Sequence, residues 1–400
     1  MTEPEDRAAK LARIQSLKMA KSAQAFVRGS TVSFYQWLET APSNVPDGPP
    51  VWICGDCHLG NLGPLADNKG RVSVQIRDLD QTVIGNPAHD LIRLALSLAS
   101  AARGSDLPGV TTARILEQLM LGYEAVLAGD FQSEDEKAMR PDVVSDLLAK
   151  SVRRRWRQLA AERLDTAKPI LPLGRKFWPL TAEERNAMGE IFATKEAHDM
   201  VTRLQSRGDA DPMSLIDAAY WIKGCSSLGR LRYAAMLEVG QNKSATLCLV
   251  DVKESVSAAA PSAPKAKMPR DNAIRIVTGA RALSPNLGER MIASRFLGKT
   301  VVIRELTPQD LKLEVAHMTP KQSIALAAYL AGVVGKAHGR QMTAETRSAW
   351  LKDLRSARAG ALEAPTWLWS GVVSLLSIHE SAYLEHCRRF ALAEAKRNEA

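Results

Sequence analysis

The chain has 400 residues, 46% apolar and 24% charged, enough to bury a core as one large domain or two smaller ones. No stretch is long and uncharged enough for a membrane-spanning helix, so no membrane partner is expected. Five cysteines, an odd number, and an N-terminus without an apolar export segment point to reduced thiols and a cytoplasmic location.

Residues 5–40 carry a helical pattern, broken near Gly29. A turn-rich stretch follows at 44–50, then a short apolar run at 51–54. Residues 71–77 alternate Val72, Val74 and Ile76 with polar neighbours, which predicts a strand. Residues 87–205 read as mainly helical, with Leu91, Leu94, Ala95 and Leu98 marking one buried stripe. The densest basic run, 150–157, reads as a solvated helix face. Its single aromatic, Trp156, is thin support for stacking, and a nucleic-acid partner is not expected.

The texture then changes. Strands are predicted at 217–223, 231–239 and 245–254, and an Ala/Pro/Ser/Lys-rich mobile loop at 257–270. A helix at 272–283 and a strand at 300–306 follow, with helix again from 321. The predicted organisation is α+β: a sheet unit at 211–318 inserted between helical parts at 1–210 and 319–400.

Chemistry concentrates early. Gly55-Asp56-Cys57-His58-Leu59-Gly60-Asn61 is followed, after a strand, by Asp78-Leu79-Asp80, with Asp90 further on. Two such carboxylates about 4 Å apart repel by ~4 kcal/mol at an effective dielectric near 20. That cluster calls for a cation, raised pKa values or basic partners. Magnesium suits the hard oxygens on offer. Lys253, ending an apolar strand after a Gly- and Ser-rich connection, reads either as an anion-binding cation or as a strand-end lysine in water. Cys54-Gly-Asp-Cys57-His58 also matches the c-type haem attachment pattern, and its cysteines could serve zinc. Neither has the export signal or the further ligands it needs.

Gly55-Asp56-x-His58-x-x-Asn61 resembles the catalytic loop of aminoglycoside and choline kinase-like families, and Asp78-Leu79-Asp80 their metal-binding segment. More closely, the chain resembles the DUF2252 family of bacteria. The matching pieces include Lys18-Met-Ala-x-Ser22, Ala25-Phe-Val-Arg-Gly29, Cys54-Gly-Asp-Cys-His58, Asp78-Leu-Asp80, Asp90-Leu-Ile-Arg-Leu94 and Val252-Lys-Glu254. The kinase resemblance implies a two-lobed, protein-kinase-like fold with a helical large lobe and a small antiparallel-sheet lobe. The helix at 330–338, which would normally run into the catalytic loop, comes last, so the order is circularly permuted.

By the same resemblance, ATP and Mg²⁺ are the expected cofactors. Asp56 would be the base. Asn61, Asp78 and Asp80 would hold metal, and Lys253 would meet phosphates. Gly224, Ser226, Ser227 and Gly229 would form the loop over them, with His58 and Asp90 bracing the site. Arg28 would contact phosphate or pair with an aspartate. The implied activity is phosphoryl transfer to an unknown small-molecule or protein hydroxyl. The alternatives are a non-catalytic nucleotide-binding module and nucleotidyl transfer to protein. Two positions depart from such kinases. Asp251 stands two before the lysine, where they carry a small residue. Thr278 stands where they often carry glutamate, with Glu289 further on.

Overall fold

The computed structural model describes residues 6–399 apart from 41–44, 106, 130–139, 155, 157, 161–169, 205, 225–227, 242–244, 312–317, 357 and 359–363. The chain opens with α1 (Arg7–Met19), α2 (Ala23–Gly29) and α3 (Thr31–Thr40). The expected break at Gly29 separates α2 from α3. A second break precedes α2, where the Ser22 side chain accepts from the Ala25 N–H.

Strands β1 (Val51–Ile53), β2 (Leu62–Ala66), β3 (Val72–Ile76) and β4 (Val83–Gly85) follow. β1 pairs with β4 and β2 with β3, both antiparallel. Helix α4 (Pro87–Arg103) starts on Asn86-Pro87: the Asn86 side chain accepts from Ala88 N–H, and proline fits the first turn. Its predicted stripe of Leu91, Leu94, Ala95 and Leu98 is buried. Next come α5 (Gly109–Leu127) and α6 (Asp142–Arg153). Lys150 and Arg153 lie exposed in the last turn of α6, where cations suit the helix dipole.

The chain continues through β5 (Phe177–Trp178), α7 (Ala182–Phe192), α8 (Lys195–Thr202), β6 (Met213–Trp221), β7 (Arg232–Val239) and β8 (Thr246–Glu254). After these come α9 (Asn272–Leu283), α10 (Pro285–Gly288), β9 (Met291–Phe296) and β10 (Lys299–Leu306). The six strands form one antiparallel sheet in the order β5-β6-β7-β8-β10-β9. The fold is therefore α+β with antiparallel sheets. The sheet draws on chain before residue 211: β5 adds an edge, and α7 and α8 cover one face, packing Met188, Phe192 and Met200 on Tyr233, Val250 and Val252.

Helices α11 (Pro320–Gly339), α12 (Ala344–Ser356) and α13 (Thr366–Glu399) complete the helical body. There α11 packs on α5 so closely that a Cβ on Gly122 would stand 2.1 Å from the Ala328 carbonyl oxygen. No helix among the described residues is long and apolar enough to cross a membrane.

The stretch 257–270, expected to be mobile, is instead tied down. Ala259 N–H donates to the Gln81 side chain at 2.6 Å, Ala263 N–H donates to the Ile84 carbonyl at 2.8 Å, and Ala260 is buried. Small side chains give a segment little surface to bury, but they also let its backbone lie directly against the 81–84 turn.

Candidate functional site

The loop after β1 is held from below by Asp90, in the first turn of α4. The Asp90 carboxylate is fully buried. One oxygen accepts from Cys54 N–H at 2.7 Å and the other from Gly55 N–H at 2.9 Å. His338 of α11 reaches the same carboxylate through Nε2 at 3.2 Å, while its Nδ1 meets the Tyr123 hydroxyl at 3.1 Å. The last helix of the expected order thus braces the first loop. Gly55 turns with φ +74°, and a Cβ there would lie 2.1 Å from the Gln81 carbonyl oxygen, so only glycine fits.

This clamp presents Asp56 and Asn61 to a cleft of about 190 Å³, which Asp78, Asp80 and Gln81 also line. Asp56 accepts from Arg93 Nε at 2.9 Å, and Arg93 is wholly buried. The partner of Asp56 is therefore Arg93, one helical turn beyond Asp90, and not Arg28. The sequence reading gave Arg93 no role, although the spacing Asp90-x-x-Arg93 places both on neighbouring turns of one helix face. Arg28 is exposed, its Nε 3.4 Å from where a Cβ on Gly60 would stand. The Asn61 amide donates to the Asp56 carbonyl at 2.9 Å, leaving its own oxygen for the cleft.

His58 is buried with Nε2 3.8 Å from Asp56, and burial lowers its pKa to about 4, so it is neutral near pH 7. Burial does the same to His379 of α13, whose Nδ1 lies 3.3 Å from the Ser30 hydroxyl. In the unfolded chain both take up a proton near pH 6.5, and in the fold only near 4. Stability is thus expected to fall as pH drops from 6.5 towards 4, by roughly 3 kcal/mol per histidine at the lower end. Urea unfolding at pH 7, 5.5 and 4.5 checks this, and His379→Gln should flatten part of the slope.

Asp78 and Asp80 lie on the turn after β3. Lys253, near the end of β8, pairs with the Asp80 carboxylate and comes within 3.4 Å of Asp78. Burial alone would raise both carboxyls. For Asp78 the charges of Lys253, Arg304 and Arg232 outweigh it and hold the group well below the usual range. For Asp80, burial and the neighbouring Asp78 charge prevail and push it up. Arg275 of α9 fixes the turn from behind, donating to the Asp80 carbonyl at 3.1 Å and to the Thr82 carbonyl. No carboxylate occurs on α9; Thr278 bonds the Ile274 carbonyl within its own helix, and Glu289 lies beyond α10.

Gly224 and Gly229 both adopt positive φ, +93° and +96°. The Gly224 carbonyl is tied to Lys18 Nζ of α1 at 2.8 Å, and Arg230, just after Gly229, lines the cleft. Ser226 and Ser227 lie outside the described residues. Cys54, Cys57 and Asp90 could bring ligand atoms within 4.8 Å of one another, without His58. Asp90 is already bonded to backbone and His338. The hydrogen bond to Cys57, with burial, pushes the Cys54 thiol well above its ordinary value. A protonated thiol is a poor zinc ligand.

The hard-oxygen donors of Asn61, Asp78 and Asp80 fit a magnesium ion: all three line one cleft, and Asp78 stays ionised. Compared with known proteins, residues 7–389 match the family model described as "Uncharacterized protein conserved in bacteria (DUF2252)". No curated protein and no solved structure matches the chain.

Proposed function

The chain belongs to the DUF2252 family, and from that premise we propose that it is an ATP- and Mg²⁺-dependent phosphotransferase of permuted, kinase-like fold acting on a hydroxyl acceptor. The observation that carries this reading is the meeting of Lys253 with Asp78 and Asp80 over a cleft that also receives Asp56 and Asn61. Residues nearly two hundred positions apart form one acid–base constellation. The reading is supported by the position of Lys253 on the third strand after a glycine-bearing hairpin, with helix α9 following, the arrangement in which kinases hold nucleotide phosphates.

In this reading Asp56 accepts the proton of the attacking hydroxyl, and Arg93 fixes the orientation of its carboxylate. Asn61, Asp78 and Asp80 would hold magnesium, which supplies positive charge to the phosphates in flight. Lys253, released from its carboxylate partners, turns to the phosphate oxygens. His58, neutral, lies beside Asp56 and takes no proton.

The test is thermal unfolding with ATP, Mg²⁺, both, or neither. Both together are expected to stabilise by about 2.7 kcal/mol at a hundredfold excess over Kd, and Asp78→Ala is expected to abolish the shift. An equal shift without magnesium, or in Asp78→Ala, sinks the reading. One observation favours a second reading, a non-catalytic nucleotide-binding module. Helix α9 offers Lys253 no carboxylate, and the lysine is held by Asp78 and Asp80 instead. That module gives the same thermal shift without turnover. Nucleotidyl transfer is told apart by product mass, an AMP adduct in place of a phosphate.

A further inference from the structure

On β8, Leu249, Asp251 and Lys253 alternate onto one face of the sheet, the face that meets Asp78 and Asp80. A base attached to phosphates at Lys253 would lie along this face. It is full. Arg304 stands opposite Asp251 on β10, and Arg232 opposite Lys253 on β7. Arg232 grips Asp251 with two hydrogen bonds, 2.9 and 2.5 Å, while Arg304 and Lys223 each come within 3.6 Å of the same carboxylate. Asp251 is 1% exposed. Further along, Trp221, Met236 and Leu249 are buried under Leu159 and Leu171. A purine slot is flat, open and largely apolar. Here the chain's own ion pairs and aliphatic side chains occupy that surface.

The open cleft has the opposite character. Beside its carboxylates stand Gln15, Thr31 and Arg230, and among the described residues that line it only Val32 and Ala259 bring apolar side chains. Arg230 lines the cleft and offers a cation to an anion arriving there, and Lys253 stands against the cleft carboxylates Asp78 and Asp80.

We infer that this cleft takes a magnesium-bound polyphosphate by its phosphate chain and leaves the base unread, so that inorganic tripolyphosphate and any nucleoside triphosphate bind alike. The inference rests on the phosphotransferase reading and narrows its donor: recognition comes from charge and metal, with the base lying outside the protein.

The experiment is calorimetric titration of the full chain, with magnesium, by ATP, GTP, CTP and inorganic tripolyphosphate. The expected result is four dissociation constants within about threefold of one another. Arg230→Gln should weaken all four together by about tenfold, the worth of a charged hydrogen bond. ATP binding at least tenfold tighter than GTP and tripolyphosphate overturns the inference and leaves the phosphotransferase reading standing. So does an Arg230→Gln effect confined to one ligand. Binding by none of the four overturns both.

Discussion

Asp56→Asn should lower MgATP turnover by about 10²–10⁴-fold, the ordinary worth of a positioned general base, while ligand affinity stays nearly unchanged. Asparagine is the informative choice because Arg93 is wholly buried against this side chain. Alanine would strand a buried guanidinium, at a cost of ~3–5 kcal/mol, and any loss of activity would then be confounded with unfolding. The amide oxygen of asparagine still accepts from Arg93 Nε, but it cannot take a proton from a hydroxyl. The measurement is phosphate release with water as acceptor, alongside the dissociation constant and the unfolding temperature. Wild-type turnover in this variant removes Asp56 from the chemistry.

Asp90→Ala should be the most damaging change to stability. The carboxylate satisfies two backbone N–H groups and the His338 ring in a site with no water contact. Each buried donor left without a partner costs about 1–3 kcal/mol, so for the three groups the expected loss is ~3–9 kcal/mol in the free energy of unfolding by urea. Asp90→Asn should recover part of this, since its one carbonyl oxygen can still accept. A loss under about 1 kcal/mol for alanine would mean that the loop is held elsewhere.

Much of this arrangement was readable in the residues, and the division follows sequence distance. Helix α9 begins and ends where expected because Asp271 caps it and its apolar period is regular. Asp56, Asn61, Asp78 and Asp80 lie within 25 positions of each other, and a short strand pair between them suffices to bring them to one cleft. Strand β9 escaped because only its ends, Met291 and Phe296, are buried, so no alternation marks it. The roles of Arg275 and Arg93 escaped too. Each depends on which turn of a helix faces a loop dozens of residues away, and that is set by packing. Asp251 stood out as a departure from the small residue that such kinases carry two before the lysine, but its partner Arg232 is fixed by cross-strand register, which composition does not carry.

Helix α1 touches both halves of the molecule. Near its start Arg7 enters a buried pair with Glu184, at 2.6 Å and wholly within the sheet side. Six residues on, the exposed Arg13 meets Glu394 of α13 at 2.5 Å. A buried, doubly bonded pair is hard to break and an exposed one is worth little. Of these two pairs the one to Glu184 is the stronger. The C-terminal helix nevertheless grips the far end of α1 as well: His386 Nε2 lies 2.9 Å from the Ser16 carbonyl, and the Tyr383 hydroxyl donates to the Ala20 carbonyl at 3.1 Å. Fastened on both sides, the tie-rod links the sheet to the C-terminal helix and holds the Gly224 carbonyl through Lys18.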